Sequence, residues 1–187
     1  MECLIKGKIL LLILLLIGGG CKKVDDLGFR IYTIKEGRHK STHTYSTTKN
    51  KYTHFEARFD SSVIYTTINP DNQLDINKLY GVSDCGCDHG TNSMRFGWRW
   101  YNNQIEIFWF RHQNGSFDYG KITNVEINEE NTYTLTRRED EYVMCVGGTC
   151  VTLIRPCEEE YRSYYLYPYF GGDERAPHDI TIKIKKI

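Results

Sequence analysis

Apolar and polar positions along this chain follow two different patterns. Residues 9–17 (ILLLILLLI) form an unbroken apolar run, whereas from residue 29 onward a period of two dominates and no stretch holds a helical period for three turns. A period of two places successive side chains on opposite faces of a half-buried strand. Phe55, Ala57 and Phe59 alternate with His54, Glu56 and Arg58 and predict a strand over 53–59. Another is predicted over 62–68, after Asp60-Ser61. Residues 69–92 carry Pro70, several Asn and Asp, and the run DCGCDHG, and read as a loop with a short helical turn around 74–79.

The middle of the chain specifies its own register. With Asn102-Asn103 as a two-residue turn, strands 94–101 and 104–112 form a hairpin. Trp100 then faces Ile105, Trp98 faces Ile107 and Phe96 faces Trp109, giving one strongly apolar face. On the other face Arg99 opposes Glu106 and Arg95 opposes Phe110. A second turn at Asn114-Gly115 sets Arg111 against Asp118 and Phe110 against Tyr119. Opposite charges across a ladder contribute up to about 1 kcal/mol and like charges would oppose it, so both pairs support this register. Strands continue over 131–136, 140–146 and 149–154, with Tyr133, Leu135, Tyr142, Met144, Val151 and Leu153 inward. An aromatic strand over 164–170 and the alternating Ile180, Ile182 and Ile184 close the chain. Short strands with frequent turns predict an antiparallel sandwich or barrel.

The N-terminal run has a different meaning. A spanning helix needs roughly 20 apolar residues, so a run this short behind Lys6 and Lys8 reads as a cleavable export signal, residues 1–20. Gly18-Gly19-Gly20 before Cys21 is similar to the lipobox of bacterial lipoproteins, although Gly18 stands where an aliphatic residue is usual. Cys21 is therefore the expected lipidation site and membrane anchor, with ordinary cleavage and a free Cys21 thiol as the alternative. Residues 22–28 (KKVDDLG) are expected to be a polar tether, and 29–187 a single domain. Asp25-Asp26 is similar to acidic signals that direct some lipoproteins to the cell surface.

Export would remove Lys6, Lys8 and Glu2, leaving 24 − 2 basic against 24 − 1 acidic groups, a net charge of about −1. That balance gives no electrostatic case for nucleic acid. It would also permit disulfides. In Cys145-Val-Gly-Gly-Thr-Cys150, a Gly147-Gly148 turn sets Cys145 opposite Cys150 in a non-hydrogen-bonded pair, within bridging distance. Cys85, Cys87 and Cys157 are an odd set, so one is expected free or intermolecular, with Cys157 bridged to either of the others. Cys85, Cys87 and His89 could supply zinc ligands, but no second ligand pair stands at a recognisable spacing. No metal or cofactor is expected. His178, in Ala-Pro-His-Asp, is expected to hydrogen-bond the loop it ends.

Two stretches, RFGWRWYNNQIEIFWF (95–110) with its approach LYGVSDCG (79–86), and YLYPYFGGDERAPHDITIKI (165–184), resemble a group of Bacteroidota lipoproteins with a jelly-roll, concanavalin-like β-sandwich. The resemblance implies that fold and an outer-membrane, lipid-anchored setting, and carries no activity. The same sandwich serves alginate-lyase-like enzymes and glycan-binding modules, so fold alone does not choose between functions.

A jelly roll commonly offers one concave sheet face to ligand. Here the face opposite the apolar one would show Arg95, Arg99, Tyr101, Gln104, Glu106, Phe108, Phe110, His112 and Tyr119. Aromatic faces that stack on sugar C–H surfaces and fixed polar groups that pair with hydroxyls are what glycan recognition requires. A glycan ligand is accordingly expected. A polysaccharide lyase would use Arg95, Arg99, Tyr101 and His112 for charge neutralisation and proton transfer, yet the characteristic alginate-lyase motifs are missing from the chain. A retaining glycosidase needs two carboxyls about 5 Å apart, and on this face only Glu106 is available. A structural or adhesive envelope protein without a sugar site is the third possibility.

Overall fold

A computed structural model describes residues 24–43, 46–157 and 162–187. Cys21 and the expected signal lie outside them. The strands are β1 (Arg30–Ile34), β2 (Thr47–Thr48), β3 (Tyr52–Phe59), β4 (Asn77–Ser83), β5 (Ser93–Tyr101), β6 (Gln104–Gln113), β7 (Ser116–Val125), β8 (Glu130–Arg137), β9 (Glu141–Val146), β10 (Thr149–Ile154), β11 (Ser163–Leu166) and β12 (Ile180–Lys186). They form two six-stranded antiparallel sheets, ordered β1-β12-β3-β8-β9-β10 and β2-β11-β4-β5-β6-β7. The fold is the expected antiparallel β-sandwich.

The inward rows of the two sheets meet as predicted. Phe55, Tyr133, Leu135, Tyr142, Met144 and Ile182 from the first sheet pack on Phe96, Trp98, Ile105, Ile107 and Tyr80 from the second. Phe55 stacks on Tyr133 at 5.0 Å between centroids and meets Phe96 and Tyr80 edge-on. Trp100, Trp109, Val151 and Leu153 sit partly buried at the margin of this core. The β5–β6 register is the one predicted, with Trp98 opposite Ile107 and Arg99 opposite Glu106. Between β6 and β7 the predicted register holds from Gln113 to Phe108, where a bulge shifts it. Asn102, Asn103, Asn114 and Gly115 all have positive φ, which is why Asn and Gly occupy these turns.

Three expectations change. Residues 62–68 belong to no strand: a 3₁₀ turn spans Ser61–Val63 and the chain then leaves it extended at Ile64. Val63, Tyr65 and Thr67 are buried, so the alternation is real. Their backbone partner is a side chain: Gln73 accepts from Thr67 N and donates to the carbonyls of Tyr65 and Trp100. Alternation reports which side of a segment is buried, not whether a ladder pairs it. Second, the expected loop over 69–92 contains a 3₁₀ turn at Pro70–Leu74 and then the interior strand β4. A bulge between Lys78 and Tyr80 breaks the period there and places Leu79 and Tyr80 both inside. Gly81 permits the close passage of β5, because a Cβ on it would stand 2.2 Å from Met94 O. Gly81→Ala is therefore expected to destabilise the protein by about 1–3 kcal/mol, read from its urea midpoint.

Third, residues 24–28 are not free tether. Val24 bridges Arg30, and the Asp25 carboxylate accepts from the Leu27 and Phe29 amides and from Lys183 Nζ at 2.9 Å on β12. The folded unit thus begins before residue 29. His178 is expected to bond the loop it ends; its Nε2 instead lies 2.7 Å from Ser62 O, in the Ser61–Val63 turn of another segment.

Both disulfide questions are answered. Cys145 pairs with Cys150 as predicted, at a Cα separation of 4.1 Å. Cys157 pairs with Cys85, and Cys87 is the free thiol among the described cysteines. With Cys85 in a bridge, Cys85, Cys87 and His89 do not assemble as a zinc site.

Candidate functional site

The outward side of β4–β7 is where the expected ligand face lies, and its strands divide into two halves. At the β5–β6 turn, Arg99 Nε donates to Glu106 at 2.6 Å, and Arg99 Nη1 donates to Leu74 O. Its guanidinium lies between the rings of Tyr101 and Phe108, 5.0 and 4.9 Å from their centroids. Lys121 Nζ takes the other Glu106 oxygen at 2.6 Å. Burial raises the Glu106 pKa, but these two cations outweigh it and hold the carboxyl below its usual range. Gln104 bonds Asn124 at the strand edge.

This half is not open surface. Phe108, Phe110, Glu106 and Arg95 are buried, contrary to the alternation that predicts them outward and exposed. Segment 70–76 lies against Phe108 and Phe110, while Arg95 is held under the Tyr167 carbonyl. Ile76 packs with Phe108 and Phe110, and it lies so close to Gly97 that a Cβ there would stand 2.4 Å from Ile76 Cγ2. An isolated glycine inside a strand is the one sequence signal that marks such a close approach. Arg99 and Glu106 are thereby paired with protein groups and Phe108 is covered by Ile76.

The other half is different. Phe117 is 62% exposed and Tyr119 46% exposed, and both stack on the buried Phe110, at 5.5 and 6.2 Å with rings nearly parallel. Side chains two apart on a strand share a face about 7 Å apart, so these two exposed rings stand on one face of β7 as an aromatic shelf against Phe110. Beside it stands a group of cations and imidazoles. Lys78 Nζ lies 4.5 Å from the Phe110 centroid and 3.3 Å from Gly171 O. The Arg95 charge opposes the charged forms of Lys78, His112 and His89, and Lys78 and His89 also oppose that of His112. Burial, then the Arg95 charge, lowers Lys78 to about 8, and the same two causes lower both histidines.

Ser93 fixes the His112 tautomer. Its hydroxyl donates to His89 O at 2.7 Å, so the Ser93 oxygen faces His112 Nδ1, 3.3 Å away, as an acceptor. In the neutral imidazole Nδ1 then carries the proton and Nε2 the lone pair. His89 is placed by Tyr164, whose oxygen lies 2.8 Å from His89 N and 3.1 Å from its Nδ1. Lys78, His89 and Tyr164 were outside the predicted set. Lys78 and His89 fall in a stretch that reads as loop, and Tyr164 reaches the site only through the β11–β4 pairing.

The loop 84–92 that carries His89 is firmly held. Asp88 caps the Gly90 amide and the Thr91 hydroxyl, and the Thr91 carbonyl and Asn92 side chain receive the amides of the Asn114-Gly115 turn. At its start, Cys85 is bridged to Cys157 and Asp84 is clamped by Arg137 and Arg155 from the first sheet.

No sequence-family profile matches the chain, and no curated protein matches it in sequence. Its backbone is similar to that of solved sandwich proteins. Alginate lyase AlyC3 superposes with a TM-score of 0.62 at 11% identity, over 88% of this chain and 76% of the lyase. SCLam, a non-specific endo-β-1,3(4)-glucanase of family GH16, gives 0.57 at 10% identity over 84% and 69%. A Bacteroides ovatus GH16 protein of a mixed-linkage glucan locus gives 0.55 at 10% identity over 88% and 83%. At such identities the likeness establishes the jelly-roll sandwich fold alone.

Proposed function

We propose that this protein is an envelope lipoprotein whose sandwich binds a glycan across the outward side of β4–β7. The observation that carries this reading is the shelf of Phe117 and Tyr119, two exposed rings backed by a buried third, beside groups that can pair with sugar substituents. Exposed aromatics ordered by stacking lose little entropy when a pyranose ring settles on them. The solved proteins of similar fold named above act on glycans, in keeping with this reading.

Anchoring rests on the N-terminal sequence. With lipid on Cys21 and docking beginning at Val24, only residues 22 and 23 would separate the lipid from the folded unit. Their reach is below about 11 Å even with the bonds on either side, so the domain would sit against the membrane with the β1–β12 edge nearest. The mass of the mature N-terminus tests this: a multiply acylated Cys21 is expected, and an unmodified one would refute it.

Binding is tested by affinity electrophoresis and calorimetry with a panel of polysaccharides. Phe117→Ala and Tyr119→Ala are each expected to weaken the best ligand on the order of tenfold while leaving stability nearly unchanged. Full affinity in the double variant would remove the shelf from the site.

A second reading, a polysaccharide lyase of the same sandwich, is favoured by the fixed His112 tautomer. Nε2, which has no hydrogen bond among the described residues, can accept a proton next to cations that would stabilise an ionised substrate. Release of an unsaturated uronate, seen by its ultraviolet absorbance and abolished in His112→Gln, would establish that activity. A hydrolase has less support, because Arg99 and Lys121 occupy both oxygens of Glu106.

A further inference from the structure

Three arginines of this protein are almost fully buried, and their surroundings differ. Arg137 and Arg155, each 5% exposed, share the carboxylate of Asp84 and also donate to backbone carbonyls. Arg95 is 7% exposed and forms no ion pair among the described residues. Its Nη2 reaches the Tyr167 carbonyl at 3.3 Å, and its Nε is buried without an acceptor. The titratable oxygens that act on its charge are those of Tyr169 and Tyr164, neither of which is an acid at neutral pH. A buried charge left unpaired is strongly unfavourable. The second sheet nevertheless places Lys78 beside it, whose own acceptor is one carbonyl and whose ammonium rests on Phe110. His112 and His89 complete the edge.

We propose that Arg95 and Lys78, rimmed by His112 and His89, form a subsite for an anionic substituent of a sugar, either the carboxylate of a uronate or a sulfate ester. This deepens the glycan reading and rests on it. The placement matters as much as the charge. Phe110 carries Lys78 on its ring and also backs the Phe117–Tyr119 shelf, so a pyranose on the shelf directs a substituent toward the cations. The exported chain is near neutrality, so attraction of an anion here is local and not a property of the whole surface.

The subsite should follow pH. Lys78 faces Arg95 from β5, Asp75 from the end of the 3₁₀ turn, and the rings of Phe110 and Tyr169. His112 faces Arg95, His89, Lys78 and Asp88. Lys78 loses its charge as pH rises through about 8, so anion affinity should fall across that range. Protonation of His112 at acid pH should raise it.

The test is calorimetry on the whole exported domain with three oligosaccharides of equal length: oligogalacturonate, a sulfated dextran fragment and a neutral laminari-oligosaccharide. At least one charged ligand is expected to bind on the order of tenfold or more tighter than the neutral one, and which one does so identifies the substituent. Lys78→Met keeps the aliphatic packing and should remove that preference. Lys35→Met, which breaks only the exposed pair with Asp179, should not. For the unmutated protein, affinity for the preferred ligand should drop on the order of tenfold between pH 7 and pH 9. Equal affinity for all three, or a preference untouched by Lys78→Met and by pH, would overturn the subsite while leaving a neutral glycan site standing. Failure to bind any of a broad panel would remove the glycan reading itself.

Discussion

Asp84→Ala is expected to destabilise this protein by about 3–5 kcal/mol, the range for removing one partner of a buried ion pair. Asp84 is fully buried and accepts from Arg155 Nε at 2.7 Å, Arg155 Nη2 at 3.1 Å, Arg137 Nη1 at 3.0 Å and the Tyr142 hydroxyl at 2.9 Å. One carboxylate therefore neutralises two guanidinium groups brought from the ends of β8 and β10, and joins both sheets at one end of the sandwich. Alanine would take the shared carboxylate away from two buried guanidinium groups. Burial by itself raises the Asp84 pKa, but the Arg155 hydrogen bond and the charges of Arg137 and Arg155 prevail and hold it below the usual carboxylate range. A group whose folded pKa is depressed contributes stability above its unfolded pKa, here near 3.9. That contribution is lost as pH falls through the folded value. Urea denaturation should show acid weakening below about pH 4 that is reduced in Asp84→Asn. A variant within 1 kcal/mol of the parent would show that the cluster is not a main support.

Removal of the Cys85–Cys157 bridge is expected to cost about 4 kcal/mol, and removal of Cys145–Cys150 about 2 kcal/mol, because the chain-entropy effect of a cross-link grows with the loop closed. The separations are 72 and 5 residues. The long bridge has a second consequence. It fixes the start of the loop carrying His89, next to Asp84, so Cys85→Ala/Cys157→Ala should also weaken glycan binding, whereas Cys145→Ala/Cys150→Ala should leave it unchanged. Comparing urea midpoints and calorimetric affinities of the two double variants checks both points. Equal midpoints would contradict the loop-length argument, and equal affinities would detach His89 from the site.

These two supports were unequally legible. The Cys145–Cys150 bridge follows from a glycine-glycine turn and strand geometry, since five residues of local chain settle which atoms meet. Nothing local distinguishes Cys85 from Cys87 as the partner of Cys157. That choice depends on the direction each side chain takes after β4, with Cys85 at positive φ. Asp84 gives no hint in sequence that its partners lie 53 and 71 residues away.

The candidate site shows the same division. Alternation and turn residues determined the β5–β6–β7 hairpins, the pairing of Arg99 with Glu106 and of Phe110 with Tyr119, and hence which side chains share a face. That information is local, because a period of two and a tight turn fix register over a few residues. Whether the outward row is open was decided by tertiary structure. Segment 70–76 lies against Gly97 and covers Phe108, while β7 at the sheet edge leaves Phe117 and Tyr119 exposed. Lys78 and Tyr164 join the site only because β4 and β11, 81 residues apart at Ser83 and Tyr164, lie side by side. A strand's own pattern states which way its side chains point. What covers them is set by segments elsewhere in the chain, through packing that the pattern does not encode.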